Sequence, residues 1–168
     1  MLTRPDTHFS ELGTQAIEKG LADPAVSAFY DSIMSTDAVQ IQQCLKPFLP
    51  HLSLCSDKMP GNAPPPIFYV GKESGQRHLF GEDWASPATP ACGLRTPDPD
   101  LEKASAEGYR KALEGTPYYG YAHTKIQVNG ELYEVAFERL IVAVRPSLQS
   151  DLRFCAYLGV IQDLQRTS

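Results

Sequence analysis

No apolar run in this chain exceeds Leu140–Val144, far short of the roughly 20 residues a membrane-spanning helix needs. The first residues, Met1 to Asp6, carry no apolar stretch of the kind a signal peptide requires. Cysteine is sparse and scattered: Cys44, Cys55, Cys92 and Cys155 include no C-x-x-C, so neither a zinc ribbon nor a redox motif is indicated. Without a secretory leader these read as buried free thiols. Their spacing to His51, His78 and His123 gives no metal site. Lysine and arginine total 15 against 20 acidic residues, for a net charge of −5. The basic residues are dispersed, so the chain lacks the basic face that nucleic acid demands. The expectation is a cytoplasmic protein with neither nucleic acid nor membrane as partner.

At 168 residues, with 42% hydrophobic and 21% charged, the sequence suffices for one globular domain with a modest extension. The N-terminal part reads as helical. Ser10 is placed to cap a short helix carrying Leu12, Ala16 and Ile17, which Gly20 ends. Asp23-Pro24 then supplies an N-cap and first-turn proline. The stripe Val26, Phe29, Tyr30, Ile33 and Met34 that follows makes the best amphipathic helix, and 37–45 is a candidate for another. Residues 51–56 and 67–70 read as strands, separated by the proline-dense loop 58–66. A short helical turn with Leu79 and Phe80 follows. Asp98-Pro99 opens a helix to about Leu113, with a small-residue inner face of Leu101, Ala104, Gly108 and Ala112. Residues 154–162 form the last strand, with Phe154, Ala156, Leu158 and Val160 on one side.

The clearest local signal is a hairpin. Tyr118–Val128 and Glu131–Val142 flank Asn129-Gly130, the dipeptide suited to a type I′ turn. Facing residues then have numbers summing to 259, which sets Lys125 opposite Glu134 and Gly120 opposite Arg139. The same register puts Arg139 on the apolar face with Tyr133, Val135, Phe137, Ala122 and Ile126. A buried arginine needs a partner, either an internal acid or an acidic ligand. The other face, with Tyr119, Tyr121, His123, Leu132, Leu140 and Val142, is apolar enough to need a cover. The Val26–Met34 stripe is the obvious one. The expected architecture is α+β, a five-stranded antiparallel sheet in the order 2-1-5-4-3 with helices across one face.

Ile67-Phe-Tyr-Val-Gly71 followed by His78-Leu-Phe-Gly81, with Leu113-Glu-Gly-Thr-Pro117 before the hairpin, resembles a PAS domain. Leu45-Lys-Pro-Phe-Leu-Pro-His-Leu52 and Phe137-Glu-Arg-Leu-Ile141 are similar to segments of a bacterial PAS-like family. The resemblance spans roughly 25–165 and departs from the family pattern at Ala143-Val-Arg-Pro146. It implies residues 1–45 as an N-terminal helical extension and 46–168 as the PAS-like domain. It also implies a stand-alone sensory or interaction module that binds a small molecule, an acidic one if Arg139 holds it, or a protein partner, including a second copy in a homodimer. The candidate ligand-binding set is Arg139, Phe137, Gly120, Tyr133 and Trp84. No cofactor is expected. Ala91-Cys-Gly-Leu-Arg95 does not match the reactive-cysteine helix of flavin-bonding PAS domains, and 98–115 contains no histidine for haem. Gly71-Lys-Glu-Ser-Gly75 is neither a nucleophile elbow nor a P-loop. The alternatives are a small enzyme with His123 or His51 as base, or a ligand-free scaffold.

Overall fold

The computed structural model describes residues 8–36, 40–82, 84–85, 99–128, 130–146, 149 and 151–167, the side chains of 8, 99 and 100 aside. The fold is α+β. Six strands, β1 (His8–Glu11), β2 (Leu52–Ser56), β3 (Ile67–Val70), β4 (Tyr118–Val128), β5 (Glu131–Val144) and β6 (Phe154–Thr167), form one antiparallel sheet in the order β1-β4-β5-β6-β2-β3. Five of these strands and their order match the sequence expectation. The hairpin register is Val128↔Glu131 through Tyr118↔Ile141, with Gly120↔Arg139. Gly130 has φ 80°, the left-handed conformation an Asn-Gly turn assigns to glycine; Asn129 lies outside the described residues.

The sixth strand is a correction. Ser10 does not cap a helix; it lies in β1, where Phe9 pairs with Ala122 and Ser10 with Tyr121. The helix begins later, at Thr14 (α1, Thr14–Glu18), after Gly13 with φ 80°, and Leu12 is left exposed. An unpaired β4 edge offers main-chain partners to any extended segment, and this tertiary pull outweighs the capping preference of one serine.

Helix α2 (Pro24–Met34) is capped as expected, with the Asp23 carboxylate accepting from the Ala25 N–H at 2.9 Å. Val26, Phe29 and Tyr30 are buried, but Met34 is exposed, so the stripe ends a turn early. The stretch expected as a helix over 37–45 is described as α3 (Ile41–Leu45), continued by a 3-10 turn over Lys46–His51; 37–39 lie outside the described residues. Helices α4 (Gly75–Phe80) and α5 (Pro99–Leu113) complete the chain.

Helices cover both faces of the sheet rather than one. On one face α1, α2 and α3 enclose Ile17, Val26, Phe29, Tyr30 and Leu45 with Tyr119, Leu140, Val142, Ala156 and Leu158. On the other, α4 and α5 enclose two clusters, Tyr109, Ala112, Tyr118, Ile141 and Tyr157, and Phe80, Leu101, Ala122, Val135 and Phe137. The α2 stripe thus covers the face for which a cover was required. Cys55 and Cys155 are buried free thiols facing each other across β2 and β6, and Cys44 is half-buried and free. Cys92 lies outside the described residues.

Candidate functional site

Arg139 is 1% exposed and sits at the centre of the face covered by α4 and α5. Its neighbours on the two flanking strands are both glycines, Gly120 on β4 and Gly159 on β6. Each glycine is roofed by a tyrosine two residues before it. A methyl group at Gly120 would lie 2.7 Å from the Tyr118 hydroxyl, and one at Gly159 would lie 2.9 Å from Cε1 of Tyr157. The space over Gly120 is therefore filled by Tyr118, not by the guanidinium of the facing Arg139. The guanidinium carbon lies 5.4 Å from the Tyr118 ring centre and 5.6 Å from that of Phe9, within cation–π range.

The described polar partners of this charge are neutral. Nη1 donates to the Ser105 hydroxyl at 2.9 Å and Nη2 to the Ala104 carbonyl at 3.5 Å, and the Tyr157 hydroxyl also bonds to the guanidinium. Nε has no acceptor among the described residues. Among the described residues no carboxylate pairs with Arg139. An internal acid was one of the two partners the sequence allowed, and none is found among the described residues. A guanidinium is donor-only and stays charged, and burial of a charge without an opposite charge is strongly unfavourable.

Among the described residues two further buried polar atoms lack partners, Ser53 Oγ and Gln76 Oε1. Both belong to this face. Ser53 pairs across the ladder with Tyr157. Gln76 shares a narrow cleft of about 20 Å³ with Ser105, Phe137, Tyr157 and Gly159. Burial pushes the Tyr157 phenol up to about 12, while the Arg139 charge works in the opposite direction. Burial also pushes the Cys55 thiol up to about 12, against the pull of its 3.5 Å contact with the Tyr109 hydroxyl. These groups stay protonated and neutral at neutral pH.

Of the residues singled out from sequence, the structure brings Arg139, Phe137 and Gly120 together. Trp84 stands against Phe80, ring centres 5.0 Å apart, on the wall of the same face. Tyr133 does not join them; it lies three same-face positions along β5 and donates to Glu131 at 3.0 Å. Ser105, Gln76, Tyr157 and Phe9 were missed. The signal for Ser105 was its place four residues after Leu101: the buried face of α5 reads Leu101, Ser105, Gly108, Tyr109 and Ala112, with Ala104 only partly buried. The repeated tyrosine-x-glycine of Tyr118–Gly120 and Tyr157–Gly159 was the other. His123 lies on the opposite face, its Nε2 at 2.7 Å from Glu134, the residue that faces Lys125 across the hairpin as the register predicts. His51 is exposed and 3.5 Å from Glu73.

An open groove of about 830 Å³ lies beside the cleft, lined by Phe48, His51, Lys72, Arg77, His78 and Leu158–Ile161 among others. Gly75, Gly159 and Ile161 line both. No described helix is long and apolar enough to cross a membrane. Comparison of the chain with family models, curated proteins and solved structures returned no match.

Proposed function

We propose that this protein is a PAS-like sensory or interaction module that holds a small acidic ligand at Arg139. The observation that carries this reading is a fully buried guanidinium whose described polar partners, two hydroxyls and a carbonyl, are all neutral, with Nε unsatisfied among the described residues. A carboxylate offers the missing charge and the planar pair of acceptors that a guanidinium binds best. The Tyr157 hydroxyl stands beside it as a further donor, whereas the Ser105 hydroxyl already gives its proton to the Leu101 carbonyl at 2.9 Å. The cleft at about 20 Å³ has room for little more than one water-sized group. Binding therefore widens it, by displacement of α4 or α5 from the sheet, and that displacement is the signal such a module transmits. Sheet order, hairpin and helix placement support the PAS-like assignment; the fold by itself names no ligand.

The test is a thermal-shift panel of small mono- and dicarboxylates against amines and neutral analogues of matched size. A ligand binding only the native state stabilises it by about 2.7 kcal/mol at a hundredfold excess over Kd. Carboxylates should raise Tm for the natural protein and leave Arg139→Met unmoved. Equal shifts in both proteins, or shifts from amines, would remove the reading.

A further inference from the structure

We infer that the acid held at Arg139 is a short 2-hydroxy acid, and that Gln76 of α4 recognises its hydroxyl. The inference rests on the carboxylate reading of Arg139 and adds what the carboxylate is attached to.

Gln76 is a polar residue in an apolar place. With Leu79 and Phe80 it lines the cleft, at the spacing of one helix face, while Arg77 and His78 line the groove outside. Gly75 lets this face come down onto β6: a methyl group there would lie 2.6 Å from the Gly159 carbonyl oxygen. Gln76 follows it into the interior and is only 9% exposed. Leucine or methionine would fill the same position with no polar atom to satisfy. Instead the glutamine buries Oε1 with no donor among the described residues, and an amide oxygen left so is costly.

This oxygen shares its compartment with the partners of the guanidinium. Ser105, which accepts from Nη1 of Arg139 at 2.9 Å, lines the same cleft. The serine does not serve the amide, because its own proton goes to the Leu101 carbonyl at 2.9 Å. Two buried groups of opposite sense are therefore open together: Nε of Arg139 lacks an acceptor and Oε1 of Gln76 lacks a donor. A plain carboxylate answers the first alone. A carboxylate with a hydroxyl on the adjoining carbon answers both, and the free space of about 20 Å³ is that of one hydroxyl-sized group.

The same pair of groups ranks the competitors. An ammonium in place of the hydroxyl donates to Oε1 but sets a second cation beside a buried guanidinium, where like charges repel strongly. A keto oxygen or a second carboxylate meets Oε1 acceptor against acceptor. A methyl group leaves Oε1 unpaired. Only the hydroxyl gains.

The experiment is calorimetric titration at pH 7 with lactate, 2-methylpropanoate (the same acid with methyl for hydroxyl), pyruvate and alanine. Lactate should bind the natural protein about tenfold more tightly than 2-methylpropanoate, the scale of one hydrogen bond to a buried group, and more tightly than pyruvate or alanine. In Gln76→Leu the preference for lactate should vanish while 2-methylpropanoate binds as before, and Arg139→Met should bind none of them. Equal binding of lactate and 2-methylpropanoate by the natural protein would overturn the inference and leave the carboxylate reading standing. A preference that survives in Gln76→Leu would overturn it too, by assigning the hydroxyl to another group. No binding of any acid would remove both readings. The first comparison uses the natural protein, so it decides even if Gln76→Leu fails to fold.

Discussion

The two faces of the sheet bury similar amounts of apolar side chain and treat their polar groups in opposite ways. On the face under α1–α3, the central carboxylate is saturated. Glu138 accepts from the Asp23 N–H at 2.9 Å, the Tyr119 hydroxyl at 2.5 Å and the Gln162 amide at 2.7 Å, tying the start of α2 to three strands' worth of sheet. Burial and the bond to Glu138 drive the Tyr119 phenol well above its ordinary range. On the face under α4 and α5, the three buried polar atoms without partners among the described residues collect around Tyr157 and Arg139. Native proteins leave few buried polar groups unsatisfied. Their concentration on one face is the asymmetry on which the proposed binding role of Arg139 rests.

The largest effect that would break this comparison is on the saturated face. Phe29 is fully buried against Phe48, ring centres 5.1 Å apart, and Phe29→Ala should destabilise by about 3–5 kcal/mol, read by urea unfolding. Carboxylate binding by the fraction that stays folded should be unaltered. Glu138→Ala removes an acceptor from three donors and should cost about 2–3 kcal/mol; a loss of ligand response with it would merge the two faces. Gly159→Ala pushes the Tyr157 ring aside and should destabilise by about 1–3 kcal/mol, with weaker carboxylate binding because a donor is displaced.

The smallest effect is on pH dependence. The Tyr157 phenol titrates near 10 unfolded and about 12 folded, so the folded state keeps its proton where the unfolded state loses it. That contribution to stability is complete below pH 10 and is lost as pH rises from 10 to 12. Tyr157→Phe should make the alkaline limb of the unfolding curve shallower. Cys55 and Cys155, each raised from 9 to about 12 by burial, act with the same sign from pH 9, so the limb should flatten only in part.

What the sequence made legible was what local rules control. Asn129-Gly130 set the β4–β5 register, and strand parity then placed Arg139 inward, because one turn fixes which side chains share a face. Asp23-Pro24 marked the start of α2 by the same kind of local chemistry. β1 was not legible: four residues, His8–Glu11, have no periodicity to read, and only the waiting edge of β4 makes them a strand. Nor was the cradle of Arg139. That Tyr118 and Tyr157 fold back over glycines, and that Ser105 rather than Ala104 faces the charge, depend on how α5 rests on the sheet. Trp84, a candidate ligand contact in the sequence, packs on Phe80, and Tyr133 shares a face with Arg139 but not its neighbourhood.

The most direct test is urea unfolding of the natural protein and Arg139→Met, side by side, in carboxylate-free buffer and again with a saturating carboxylate. Methionine keeps much of the volume and removes the charge. If Arg139 awaits an acidic ligand, the substitution should leave stability undiminished or raise it without carboxylate, since an unbalanced buried charge is removed and no acid is left unpaired. The carboxylate should then stabilise only the natural protein. A loss of roughly 3–5 kcal/mol in carboxylate-free buffer would mean that Arg139 already balances a buried acid, and would contradict the account.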